Sequence, residues 1–483
     1  MAAFLFVPLV AALVGAAISS FNQPAAFRRF TGIGTSIAIL VSGIALSAAA
    51  LASHVESSVT GLLRADALSS YMLCVIGAVA LTATWGGIRG SGTADGGRVY
   101  NALICAFLGA MSLAVLADNL GIMWVAIELT TIATAFLVGH ARTGRALEAA
   151  WKYVILGSVG VAIAFLGIVL LYAATRESGS PTLSWLALDQ GHLALNPALV
   201  KAAAALAVLG FATKAGLAPM HSWLPDAHSQ APAPVSGLMS GVLLAVAFYA
   251  VLRIQSIADA VLGPDLMRGM LAVGGLLSLA VAAALLVGQR DYKRMLAYSS
   301  VEHMGLMALG AAAGGVLGLT AVLLHILGHG LTKSSLFVVS GRIQGAEGTT
   351  TISNVRGLLA RRPGLGVPFL IAMVALLGLP PFSLFFSEVG ILIAAWTRGM
   401  GWVTAIALVL LLVVFAALAR LTARLAFGAP EESESVDSPV DRSSHGPRTP
   451  LIIALSVTAV IAFVAVPLGS LLLSAVAVLS GGS

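Results

Sequence analysis

Long apolar runs, separated by short polar segments, account for most of the chain. About fourteen are long enough to cross roughly 30 Å of hydrocarbon as helices. They cover residues 2–19, 31–52, 67–87, 100–117, 120–139, 147–173 and 199–224. The remainder cover 234–254, 266–288, 295–314, 315–341, 367–396, 401–427 and 451–479. The pattern predicts an all-α polytopic membrane protein.

Two of these runs carry their own interruptions. In the seventh, Lys214 is followed by Gly216 and Pro219; in the twelfth, Gly378-Leu-Pro-Pro381 precedes Glu388. Proline lacks a backbone donor and clashes with the preceding turn, so each helix should break there. A break at membrane depth survives only where protein or a wet cavity receives the freed backbone groups. Interrupted helices in corresponding positions of two halves point to an inverted-repeat transporter. The expected organisation is three spans in 1–99, one five-helix repeat in 100–256, a second in 257–427, a cytoplasmic linker in 428–450 and a final span in 451–483.

Composition agrees: 59% of the 483 residues are hydrophobic and 10% charged, which excludes an ordinary soluble domain. Cys74 and Cys105 both lie in apolar runs and form no CxxC, zinc spacing or disulfide framework. The first run lacks a basic n-region, so it reads as a retained span and not a cleaved signal. The net charge of +6 is scattered through loops with no interleaved aromatics, so no nucleic-acid partner is expected. Of the 26 basic residues, 17 fall in one set of alternating loops and 6 in the other; Lys152, Lys214 and Lys333 lie inside spans. The richer set should be cytoplasmic, with both termini outward. Residues 428–450, with Glu431, Glu432 and Glu434, read as a disordered linker.

Charges at hydrocarbon depth are the candidate chemistry. A lysine at the bilayer centre costs roughly 2.5–3.5 kcal/mol on insertion scales, which marks Lys214 as functional. Glu128 lies mid-span in the fifth run. Desolvation drives a lone buried carboxylate or lysine neutral, whereas a Glu128–Lys214 pair would hold both charged. Loosening that pair would release the lysine's proton; the alternative is a fixed ion pair that orients two helices. His325, His329 and Lys333 stand at i, i+4 and i+8, on one helix face. They suit a proton wire, since histidine titrates nearest neutrality. His-x3-His also suits a metal, but no third ligand or HExxH glutamate accompanies it, and helix packing is the remaining rival. Glu302 and His303 are read in the cytoplasmic half of the tenth span, as a proton entrance or a polar cap. His221, Asp226 and His228 follow the first break and would line a cytoplasmic entrance. Asp66, Glu148 and Lys152 stand near span ends, where a structural role is as good a reading. There is no Walker motif, dinucleotide fingerprint, haem signature or iron–sulfur pattern, so no cofactor, metal or redox centre is expected.

Several motifs point to a family. Phe211-Ala-Thr-Lys214, Ala218-Pro-Met-His-Ser-Trp-Leu-Pro-Asp-Ala-His228 and Asp291-Tyr-Lys-Arg-Met-Leu-Ala-Tyr-Ser-Ser300 resemble the antiporter-like membrane subunits shared by respiratory complex I, Mrp-type cation/proton antiporters and group 4 membrane-bound nickel–iron hydrogenases. The resemblance covers roughly residues 100–427. The Tyr-Ser-Ser-Val-Glu-His-Met-Gly form, Asp118-Asn-Leu-Gly and Gly378-Leu-Pro-Pro-Phe look most like the F-type subunit of hydrogenase-4 and formate hydrogenlyase-like complexes. The resemblance implies fourteen helices, inverted repeats and a midplane chain of polar residues. It carries the fifth-helix glutamate onto Glu128 and the broken-helix lysine onto Lys214. The eleventh-helix positions fall on His325 or His329 and on Lys333, and the terminal charge of the twelfth helix on Glu388. Many relatives carry a relaying lysine in the eighth helix; here Ala245 stands at that position, so water or the histidines would have to bridge. The chain also ends soon after its last span, which argues against the largest complex I antiporter-like subunit.

The expected function is a proton-translocating (less readily sodium-translocating) subunit of a hydrogenase-like or complex I-like membrane oxidoreductase. It would be partnered by other membrane subunits and would have no redox chemistry of its own. An Mrp-type antiporter subunit without redox partner, and a scaffold whose charges only lock helices, are the alternatives.

Overall fold

In the computed structural model the apolar runs are helices, and residues 3–21, 24–53, 57–59, 61–88, 97–189, 193–429, 446–461, 463 and 468–480 are described. The first half holds α1 (Ala3–Ser20), α2 (Ala25–Ser53), α3 (Ala67–Gly86), α4 (Arg98–Leu116), α5 (Leu120–Val138), α6 (Gly144–Glu177), the short α7 (Trp185–Asp189), α8 (Pro197–Lys214), α9 (Trp223–Gln230), α10 (Ala233–Leu238) and α11 (Leu244–Leu262). The second holds α12 (Asp265–Val287), α13 (Tyr292–Ala313), α14 (Gly315–Glu347), the short α15 (Leu358–Arg361), α16 (Pro363–Leu376), α17 (Ser383–Thr397), α18 (Gly401–Phe427), α19 (Thr449–Val460) and α20 (Leu468–Leu479). A small antiparallel hairpin, Ser57–Val59 with Leu63–Ala65, precedes α3.

Among the described residues, eleven helices are long and apolar enough to cross a membrane, and four shorter apolar ones accompany them. α13 has spanning length but lies outside that set, because Lys293, Arg294, Glu302 and His303 dilute its apolar content. The run 451–479 is not one helix, since α19 ends at Val460 and α20 starts at Leu468; the sequence places Pro467, which has no backbone donor, at that junction. Most of the proposed linker, 430–445, lies outside the described residues, as do Arg89 and Arg442 of the loop charges.

The expected breaks are present, and they are built alike. α8 ends with Ala215 N–H donating to Phe211 O (2.8 Å), Gly216 to Thr213 O (3.2 Å) and Leu217 to Ala212 O (3.0 Å). α16 ends with Leu377 donating to Met373 O (2.9 Å), Gly378 to Ala375 O (3.2 Å) and Leu379 to Val374 O (3.4 Å). Both glycines have positive φ, +78° and +61°, as a helix-terminating turn with left-handed backbone requires. The freed groups of the first break find partners: Ala218 N–H donates to Ser278 Oγ at 2.9 Å, and Trp223 Nε1 to Thr213 O at 3.0 Å.

Small residues bring the helices close enough to define the interior. α6 and α8 meet through Gly160 against Thr213, Gly167 against Ala203 and Ala207, and Gly210 against Ala164; a Cβ at any of these glycines would collide. Within Ala233–Leu262 residues 235–255 are all buried, and the helix relaxes into a π-helical turn at Met239–Leu243. There Gly241 meets the backbone of Gly330 on α14, joining the two halves. The outer faces of α1, α6 and α18 expose Leu13, Trp151, Phe165 and Leu412, as a lipid-facing surface would.

Candidate functional site

Lys214 closes α8 with its side chain fully buried. Its Nζ donates to Tyr153 OH at 2.5 Å and to Thr131 Oγ1 at 2.8 Å, and lies 4.3 Å from the centre of the Tyr153 ring. Gly157 on α6 lies beside this ammonium; a Cβ there would stand in ordinary contact, 3.8 Å from Nζ. The expected direct pair with Glu128 is absent. Instead, Thr131 Oγ1 bridges, donating to Glu128 Oε2 at 3.2 Å, while Ser158 Oγ holds Oε1 at 2.7 Å. Helical spacing explains this: Thr131 stands one turn beyond Glu128 on α5, between the carboxylate and α8. Glu128 itself is only half-buried.

Lys333 repeats the arrangement on α14. Also fully buried, it donates to Leu296 O at 2.6 Å and to Ser299 Oγ at 2.5 Å on α13. Among the described residues neither lysine has a carboxylate within ion-pair distance. Between them lies His228, buried edge-on between Trp223 and Phe337, with ring centroids 6.2 and 5.6 Å away; Trp223 in turn packs on Tyr153 at 5.0 Å. Ala245 is buried in this region. The π-helical turn beside it is tied to α13 by Ser240 Oγ and Ser300 Oγ, 2.7 Å apart.

Beyond Lys333 the histidines cluster. His303 of α13 lies with its ring centroid 5.1 Å from both His325 and His329, whose own rings stack 6.3 Å apart. His303 Nδ1 and His325 Nε2 are 3.1 Å apart, and His325 Nδ1 is 2.9 Å from Ser387 Oγ on α17. Glu302 Oε2 stands 3.5 Å from His303 Nε2, and Glu388 Oε1 3.9 Å from His303 Nδ1. Glu302 is buried near the middle of α13, and the Glu388 side chain is 20% exposed. Both carboxylates line an open crevice of about 320 Å³ with Phe385 and with Leu408, Leu411 and Phe415 of α18. Each ring nitrogen of His228 and His329 lacks a protein hydrogen-bond partner among the described residues.

Not every candidate joins this array. His221 is half-buried in the first break, and among the described residues no hydrogen bond or ring contact links it to the others. Asp226 faces a polar cavity of about 450 Å³ on the side carrying Arg145, Lys152 and Arg294, where it pairs with Arg294 and, at 3.1 Å, with Lys152. His228 lies beneath that cavity and does not line it. Glu148 pairs with Lys152 at 2.7 Å, also on the surface. Asp66 caps α3 through Ser69 N (2.8 Å) and pairs with Arg253 at 2.6 Å, both side chains buried. Arg253 is thus a buried residue of α11, not a loop charge. Tyr153, Thr131, Ser299 and Ser387 are site residues that sequence reasoning missed. Thr131 and Ser299 carry one signal, a hydroxyl a helical turn from a mid-span glutamate; Tyr153 and Ser387 carry none.

A polytopic helical bundle with two broken helices and an internal row of ionisable side chains is the construction of an ion-translocating membrane subunit. Sequence comparison places the chain within a family: a profile described as NADH:quinone oxidoreductase/Mrp antiporter, transmembrane, matches residues 117–415, and the chain belongs to it. It is 38% identical over 343 residues to a hydrogenase-4 component F homolog of Methylacidiphilum infernorum, covering 70% of this chain and 71% of that protein. It is 33% identical over 357 residues to NADH-quinone oxidoreductase subunit N 2 of Roseiflexus castenholzii, covering 71% and 70%. A chain of the membrane-bound sulfane sulfur reductase, an archaeal respiratory membrane complex, shares the fold with a TM-score of 0.85 at 24% identity, over 99% of this chain and 97% of that one.

Proposed function

We propose that the chain is a proton-translocating subunit of a hydrogenase-4-like or complex I-like membrane oxidoreductase complex. The carrying observation is the row from Lys214 through His228, Lys333 and the His303–His325–His329 cluster to Glu388, enclosed among apolar helices. A buried charge survives only with hydrogen-bonding partners or water. Both lysines are held by neutral oxygens, so each can give up its proton without breaking an ion pair. Glu128 acts on Lys214 through the Thr131 hydroxyl. Lys214 is the inner proton site; the histidines and Lys333 relay; Glu388 exchanges protons through the α17–α18 crevice. The unpartnered nitrogens of His228 and His329 call for water, which would carry protons past Ala245. The Asp226 cavity is the cytoplasmic mouth.

The matching turns at Gly216 and Gly378 support two repeats, with their broken helices in corresponding positions. Fourteen spans result when α13 is counted and α16–α17 and α19–α20 are taken as interrupted spans. The excess of basic residues in one set of loops supports a cytoplasmic membrane with both termini outward. Relatives named as hydrogenase-4 and NADH-quinone oxidoreductase components support partner subunits of that kind. The test is the purified complex in liposomes. Lys214→Ala should retain electron transfer while losing lumen acidification; unchanged pumping defeats the proposal.

A further inference from the structure

His325 and His329 have the spacing of a metal-binding pair, yet their rings stack in parallel instead of converging. The convergence is with other helices. His303, His325 and Glu388 each bring one ligand atom within 4.8 Å of the others. The two nitrogens are 3.1 Å apart, and Glu388 Oε1 is 3.9 Å from His303 Nδ1. Two ligands at about 2.0–2.1 Å from a tetrahedral ion stand about 3.3 Å apart, so side-chain adjustment alone would close this set around one. One outer contact of a metal site is also in place. His325 turns its other nitrogen to Ser387 Oγ at 2.9 Å, while His303 Nε2 lies 3.5 Å from Glu302 without a hydrogen bond. Ligating histidines characteristically place their second nitrogen against a hydroxyl, carbonyl or carboxylate in this way. The crevice lined by Glu302 and Glu388 leaves space for a water as fourth ligand.

We propose that His303, His325 and Glu388 form a site for a borderline transition-metal dication of the Zn²⁺ class, and that filling it blocks the ion path. The blocking half rests on the function proposed above; the binding half does not. Two imidazoles, one carboxylate and an open position suit Zn²⁺ or Co²⁺ and are a poor set for Mg²⁺ or Ca²⁺, which want oxygen ligands. On binding, the proton between His303 Nδ1 and His325 Nε2 moves to an outer ring nitrogen, facing Ser387 or Glu302, so both imidazoles stay neutral with one N–H each. Both nitrogens are then fixed to the metal, and neither can pass a proton to Glu388.

The full chain in lipid nanodiscs, freed of any affinity tag, is titrated with Co²⁺ and then Zn²⁺. One Co²⁺ should bind with the intense visible absorption of a four-coordinate centre and be displaced by Zn²⁺. His303→Ala and His325→Ala should each abolish that absorption, while His140→Ala, at an exposed loop histidine, leaves it. Ser387→Ala spares all three ligands and removes the contact to His325 along with a bond to Leu384 O of its own helix; it should weaken Zn²⁺ binding about 10–100-fold. A wild-type chain without this absorption, or Ser387→Ala and both histidine variants binding like wild type, overturns the site. In liposomes carrying the complex, Zn²⁺ should stop acidification over the concentration range that fills the site. Full acidification with the site filled overturns the block and leaves the site standing. Unchanged pumping in Lys214→Ala overturns the functional reading without touching the binding result.

Discussion

Lys214 and Lys333 are held in the same way, each by two oxygens and neither by a carboxylate. The Tyr153 hydroxyl therefore carries much of what keeps Lys214 in place. Tyr153→Phe should slow proton translocation about tenfold, the equivalent of one buried hydrogen bond to a charged group at ~1.4 kcal/mol, with electron transfer intact. Proteoliposome acidification measures it. Thr131 is the bridge to Glu128, so Thr131→Val and Glu128→Gln interrupt one connection. Combining them should slow acidification no more than the stronger single change, whereas additive losses would mean that the two act separately. The lysines were legible because a charge in an apolar run is costly wherever the run lies. The hydroxyls were not, because serine and threonine in apolar helices usually bond their own backbone. Thr130 and Thr134 do so here.

The broken helices bring the chemistry to depth. Each ends in the same three-bond turn on a glycine with positive φ, and an alanine there costs about 1–2 kcal/mol in backbone conformation alone. Gly216→Ala and Gly378→Ala should both lower the thermal unfolding temperature in detergent. At 216 a new methyl meets the flexible end of Leu224, but at 378 it meets the Glu388 carboxylate. Gly378→Ala should thus also reduce acidification beyond what its stability loss explains, and Gly216→Ala should not; equal effects would separate Glu388 from the path. Glycine and proline announced both breaks. They did not announce where α17 then carries Glu388, which depends on how it packs against α13 and α14. The interruption between α19 and α20 went unread, because the run stays apolar on both sides of Pro467.

For the molecule as a whole, orientation is the property most open to direct measurement. With both native cysteines replaced, Ser435→Cys in the 428–450 segment should react with an impermeant maleimide in inverted vesicles. Ser180→Cys, on the opposite side, should react in right-side-out ones; the reverse result would invert the assignment of the mouth to the cytoplasm.

Hydropathy, loop charges and the Gly/Pro interruptions were enough to establish an all-α membrane bundle, its two breaks and the lysines and histidines worth naming. Each of those follows from local cost: exposing apolar surface, burying charge or losing a backbone donor. Which of the named groups meet is a different matter. Glu302, His303, His325 and Glu388 come from three helices, and Thr131 and Tyr153 reach Lys214 from two more. Those meetings depend on glycine-lined contacts between distant segments, and side-chain spacing along one helix carries no information about the helix that packs against it.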